Sequence, residues 1–187
     1  MQVLLVEKND FGSAASANSL RIIHGGLRYL QKLDFRRARS SAMERSVLLR
    51  IFPGLITPLL CALPTGPGIK TGRAAFASGL ALNALLTLDR NAGLSVGQRL
   101  RAGGLASASW LSQRCEYVDM SDHSGTAFWY DAFMEDPDRL VLSYVIAAAS
   151  HGGLSINHAS VDRYFGDGGR LRGGVVTDHI SGENAEI

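Results

Sequence analysis

The segment from Asn18 to Leu30 sets an imidazole, a glycine pair, a guanidinium and a phenol close together: His24, Gly25, Gly26, Arg28 and Tyr29. Glycine suits a backbone packed against a flat ring, because any Cβ would push the ring away. A guanidinium is a planar fork for phosphate or carboxylate, and a phenol adds a hydrogen bond. These groups suit a cofactor ring beside a small anion. Glu7 is the second chemical marker. It closes the apolar run Val3-Leu4-Leu5-Val6. In a dinucleotide-binding βαβ unit, an acid ending the second strand takes the ribose hydroxyls of the adenosine. The other half of that signature is missing, since no G-x-G-x-x-G occurs in the sequence. The strand that should be second comes first, directly after Met1 and Gln2.

The elements that must position these groups are legible to different degrees. Residues 3–7 read as a strand and Asn9 to Ser13 as a turn. The small residues Ala14 to Ser19 suit a backbone lying close to a ligand. Leu20 to Leu30 reads as a short helix or turn interrupted at Gly25-Gly26. Asp34 can cap a helix with Phe35, Ala38, Ala42, Val47, Leu48 and Ile51 at helical spacing, and Pro53-Gly54 stops it. Its polar residues, Arg36, Arg37, Arg39, Glu44 and Arg45, read as a solvated face. Residues 55–65 look extended, with Pro58 and Pro64 marking changes of direction.

Residues 73–88 read as a helix. Beyond it, 94–125 is weakly patterned, with a short helix near Ser107 to Gln113. Ala127 to Phe133 has strand composition. The strongest helix signal is Asp136 as N-cap, Pro137 at the first helical position and Asp138 complementing the dipole. Leu140, Val141, Tyr144, Val145 and Ala148 give its apolar side, and Gly152-Gly153 ends it. Ile156 to Phe165 and Leu171 to Ile180 read as a hairpin about Gly166 to Gly169.

Bulk composition narrows the class. A chain of 187 residues with 46% apolar content can bury a real core. A net charge of +2 gives no argument for nucleic acid. Cys61 and Cys115 lack metal spacing and read as free thiols in a reducing compartment. The first residues do not read as a signal peptide. Ala74 to Leu88 is the most apolar long stretch, short of the roughly 20 residues that span a bilayer. It reads as a core helix, with a helix on a membrane surface as the alternative.

The sequence resembles the FAD-dependent glycerol-3-phosphate dehydrogenases, within the wider D-amino-acid-oxidase-like flavoproteins. The resemblance lies in Glu7-Lys8-Asn9-Asp10-Phe11-Gly12-Ser13, then Ile23-His24-Gly25-Gly26-Leu27-Arg28-Tyr29-Leu30. Glu44-Arg45 with Leu48-Leu49-Arg50 and Pro53 continue it, as do Tyr130-Asp131 and Asp138-Arg139-Leu140-Val141. It is thin between Lys70 and Thr126.

The resemblance implies an α/β fold: a partial FAD-binding Rossmann-like domain with part of a substrate-side insertion. Residues 1–53 and 136–187 would form the nucleotide-binding part and 54–135 the insertion. It also implies truncation at both ends, with the G-x-G-x-x-G loop and the C-terminal part of the flavin and substrate sites missing. Without that loop the chain alone is expected to bind FAD weakly or not at all.

Carried over by residue, the resemblance implies FAD contacts at Glu7, Ser16, Ser19, His24, Gly25, Gly26, Leu27 and Val161. Ala15 and Ala17 stand where many members carry Thr or Ser. Arg28 and Tyr29 would bind substrate. The implied reaction is oxidation of sn-glycerol 3-phosphate to dihydroxyacetone phosphate by hydride transfer to flavin. A quinone would receive the electrons, and the protein would be cytoplasmic, with peripheral contact on the inner face of the cytoplasmic membrane. Two alternatives stay open: a related flavoenzyme acting on an amine or a 2-hydroxy acid, and a non-catalytic remnant that binds no flavin. Asp119, Asp122 and His123 fit no named metal spacing and read as a polar loop, so no metal is expected.

Overall fold

In a computed structural model, residues 3–69 and 71–187 are described. Along the chain lie β1 (Leu4–Val6), β2 (Ile22–Ile23), α1 (Leu27–Leu30), α2 (Phe35–Ile51), β3 (Ile56–Thr65), α3 (Arg73–Leu86) and β4 (Gly104–Ala106). Then come α4 (Ala108–Ser112), β5 (Gly125–Met134), α5 (Pro137–Ser150), β6 (Leu154–Ile156), β7 (Ala159–Asp167), β8 (Arg170–Asp178) and β9 (Asn184–Glu186). They form two compact units, Met1–Leu20 with Asp136–Ile187, and Arg21–Glu135.

In the first unit, β1 pairs in parallel with β6, Leu4 opposite Leu154 and Val6 opposite Ile156. A parallel pair needs a long crossover, and here the whole second unit and α5 lie between the two strands in sequence. α5 begins as its residues dictate: the Asp136 carboxylate accepts from the Arg139 N–H at 3.0 Å, and Pro137 occupies the first turn. The strand expected over Ile156 to Phe165 is instead two strands. β6 ends at Ile156, His158 takes a left-handed φ of 53°, and β7 starts a separate antiparallel sheet in the order β7-β8-β9. Leu140, Ala159 and Val176 are buried here.

The second unit is a sheet in the order β2-β5-β3, with β4 also on β5. β3 is one continuous strand, paired with β5 from Ile56–Met134 to Thr65–Gly125. Pro58 and Pro64 therefore do not turn the chain. The Leu55 and Thr65 carbonyls accept from the Glu135 and Ser124 N–H groups. Odd residues thus face β5, and both prolines sit where an N–H would point away from it. Ile22-Ile23, expected within a helix or turn, is a strand opposite Phe133 and Ala132 of β5. α2 starts on Asp34, whose side chain accepts from the Arg37 N–H at 3.1 Å. Its buried row is Ala38, Ala42, Arg45 and Leu49, at helical spacing. Arg45 is thus not on a solvated face; it is 3% exposed. Leu49, Ile56 and Leu100 are the largest wholly buried apolar side chains in this unit. Among the described residues no helix is long and apolar enough to cross a membrane.

Candidate functional site

β2 delivers His24 and Gly25 to one carboxylate. Asp131, in the middle of β5, is 3% exposed. Its Oδ1 accepts from the Gly25 N–H at 2.7 Å and from Arg45 Nη1 at 2.6 Å. Its Oδ2 lies 3.1 Å from His24 Nδ1 and 3.1 Å from Trp129 Nε1. Each oxygen has two partners, so the carboxylate is saturated.

The Arg45–Asp131 pair is buried on both sides. Arg45 Nη1 also donates to the Tyr130 carbonyl at 2.9 Å, while its Nε is buried with no partner among the described residues. Burial pushes the guanidinium pKa down, and the Asp131 charge pushes it back up. Burial first, and the Asp131 charge second, push the Cys61 thiol up, so that free cysteine is a poor nucleophile.

The glycine pair is required by the protein's own packing. A Cβ at Gly25 would overlap the Arg45 guanidinium. Gly26 has φ 84°, and a Cβ there would sit 2.7 Å from the Ala38 carbonyl oxygen of α2. This close approach explains both glycines without a flavin ring. Leu27, half-buried, opens α1, and the buried Leu30 closes it. Arg28 and Tyr29 lie exposed on α1, and neither polar group has a hydrogen-bond partner among the described residues. His24 is also exposed, its side chain at 70%, and its Nε2 has no such partner either.

In the first unit, Glu7 is fixed at the end of β1. Its N–H donates to the Ile156 carbonyl at 2.8 Å, and its carbonyl accepts from the Ala159 N–H at 3.0 Å. One carboxylate oxygen, Oε1, accepts from the Asn9 N–H at 2.8 Å; Oε2 has no partner among the described residues. That free oxygen can accept from a ribose hydroxyl, so this acceptor fits the adenosine ribose of a flavin adenine dinucleotide. Beside it lies an open, largely apolar groove of about 540 Å³, lined in part by Val3, Leu5, Val141, Tyr144 and Ala148.

Ser16 is half-buried, and its carbonyl accepts from Ser19 Oγ at 3.3 Å. Val161 is half-buried in β7 opposite Val176, just before a bulge at Asp162. The structure thus groups Glu7, Ser16, Ser19 and Val161 in one unit and His24 to Tyr29 in the other. Asp119 accepts from the Ser121 N–H at 2.9 Å, which lowers its pKa as part of a turn.

Sequence reasoning missed Arg45 and Asp131. The signal available was position. Arg45 falls on the row Ala38-Ala42-Arg45-Leu49, and Asp131 interrupts an otherwise apolar strand centre, where an acid must be paired.

The chain belongs to the FAD dependent oxidoreductase family (DAO), whose profile matches residues 1–185. Its fold is accordingly α/β, of the FAD-binding Rossmann-like kind found in that family. Among its curated relatives is a glycerol-3-phosphate dehydrogenase of Synechocystis sp., 29% identical over 188 residues. Another is the aerobic glycerol-3-phosphate dehydrogenase of Staphylococcus haemolyticus, 30% identical. Both alignments cover 100% of this chain and 32% of the relative, so the chain spans about a third of their length. The solved glycerol-3-phosphate dehydrogenase from Bacillus halodurans, complexed with FAD, has TM-score 0.65 at 19% identity, over 100% of this chain and 27% of that one. L-proline dehydrogenase from P. horikoshii also reaches 0.65, at 13% identity, over 94% and 42%.

Proposed function

We propose that this chain serves an FAD-dependent oxidation of sn-glycerol 3-phosphate to dihydroxyacetone phosphate. The observation that carries the reading is the unpartnered pair Arg28 and Tyr29, exposed on a short helix behind a glycine turn. No group among the described residues accepts from either. A dianionic phosphate is suited to both. The names of the curated relatives point to the same substrate.

When bound, FAD supplies a two-electron acceptor that takes hydride from the alcohol carbon. Glu7 holds the adenosine ribose. Ser16 and Ser19 would serve the pyrophosphate, the Val161 backbone the adenine, and the backbone of Gly25, Gly26 and Leu27 the flavin. Arg28 and Tyr29 hold the phosphate and so fix which carbon reacts. Oxidation of an alcohol by hydride loss also releases the hydroxyl proton. His24 stands beside the flavin in this reading, and its unoccupied Nε2 takes that proton. A quinone as final acceptor and a peripheral place on the inner face of the cytoplasmic membrane belong to the same proposal.

The test is kinetic. In a chain extended to the length of its relatives and loaded with FAD, Arg28→Ala raises KM for glycerol 3-phosphate about 10- to 100-fold, the worth of hydrogen bonds to a charged group. An unchanged KM means that Arg28 does not hold the phosphate. Activity with an amine or a 2-hydroxy acid, and none with glycerol 3-phosphate, would replace the substrate. The 187-residue chain alone should elute from gel filtration without yellow colour.

A further inference from the structure

We infer that Asp131 is a positioning residue for His24, holding its imidazole as the Nδ1–H tautomer with the Nε2 lone pair turned outward. The inference rests on the role proposed for His24, but its geometry stands apart from any flavin.

The carboxylate decides the tautomer. An ionised carboxylate only accepts. Both Asp131 oxygens already accept, Oδ1 from Arg45 Nη1 at 2.6 Å and from the Gly25 N–H, and Oδ2 from Trp129 Nε1, so the carboxylate faces donors on each side. His24 Nδ1, 3.1 Å from Oδ2, must therefore donate. In the neutral ring the proton then sits on Nδ1 and Nε2 is an acceptor. A free histidine has no such constraint, and His24 is exposed enough to behave as one if Asp131 did nothing.

The same carboxylate fixes the ring's base. Oδ1 accepts from the Gly25 N–H, the next residue along. Two points of attachment, one on the ring and one on the following backbone, set where the imidazole points. Trp129 Nε1 shares Oδ2 and holds the carboxylate plane. Arg45 thus acts at one remove, through Asp131, on a residue that reaches solvent. A purely structural role for Asp131, as counter-charge to Arg45, would need neither the His24 contact nor a particular tautomer.

The experiment uses the 187-residue chain, labelled with ¹⁵N, without flavin. Long-range ¹H–¹⁵N spectra are recorded near pH ~8.5, well above the ordinary histidine value of about 6.5. The His24 ring signals are identified by their loss in His24→Gln. The expected result is a protonated Nδ1 and an unprotonated Nε2. A dominant Nε2–H form, or an even mixture, overturns the inference with no variant needed.

Asp131→Asn sharpens the test. Gly25 N–H and Arg45 keep the amide oxygen on their side, so the amide NH₂ faces His24 and donates to Nδ1, and the Trp129 Nε1 bond to that position is lost. The tautomer then inverts to Nε2–H, as it does when the carboxylate behind a catalytic histidine becomes an amide. Retention of Nδ1–H in a folded Asp131→Asn chain also overturns the inference. Where that variant does not fold, the unsubstituted chain decides alone. Loss of glycerol 3-phosphate as substrate would remove the proposed function and leave the tautomer result standing.

Discussion

The surroundings of Asp131 and of Glu7 are built on opposite plans. Asp131 is buried and has every acceptor position filled by groups of its own unit. Glu7 is half-buried at a strand end, with one oxygen given to Asn9 and the other open beside a groove. A saturated internal carboxylate organises other groups; it has no capacity left to bind anything. An acid with a spare oxygen at an open edge is placed to receive a ligand. The difference shows why a carboxylate's role is read from its remaining valence rather than from its presence.

The contrast breaks most visibly at Arg45. Arg45→Ala leaves Asp131 buried without its counter-charge and should lower the stability of the folded chain by about 3–5 kcal/mol, measured by urea unfolding. The glycine beside it gives the next effect. Gly25→Ala alone displaces the Arg45 guanidinium and should cost about 1–3 kcal/mol, as overpacking does. On top of Arg45→Ala, the same change should cost far less, because the obstructing group is gone. Additive losses in that cycle would mean that Gly25 is needed for another reason.

Glu7→Gln should leave stability within about 0.5 kcal/mol, as ordinary surface changes do. It should weaken FAD binding in the extended chain, measured by flavin titration. The smallest effect concerns pH. The Asp10 pKa is lowered, first by the Asn157 amide and then by the Phe11 N–H. A depressed carboxylate stabilises above its unfolded value of about 3.9, and that contribution is lost as pH falls through the lower folded value. The Asn157 side-chain amide signals should shift in NMR spectra over that acid range and stay constant above it.

Much of the scaffold was legible because its signals are local. Asp34 and Asp136 cap α2 and α5 as their residue types require, and the apolar run at β1 forms a strand. What was not legible depends on partners far away in sequence. β2 is a strand because β5 lies beside it, although Ile22-Ile23 is too short to show a period. Pro58 and Pro64 suggested bends, since only the sheet order reveals which edge of β3 they face. Arg45 looked like one of several helix arginines until Asp131, 86 positions on, turned it inward. The candidate site divides the same way. The residue types at Glu7, His24, Arg28 and Tyr29 can be seen along the chain. The carboxylate in contact with His24 shows along the chain only as an acid within an apolar strand; its partners on β2 and α2 lie far away in sequence.

The two prolines of β3 have a further consequence. Among the described residues β3 pairs only with β5, so its other side is a bare row of backbone groups flanked by the exposed Leu60 and Leu63. Such rows recruit stray strands from other molecules and seed aggregates. Pro58 and Pro64 remove two of the donors that an incoming strand would need, and their rings obstruct its approach. The two rings thereby blunt this edge of the sheet against strand addition.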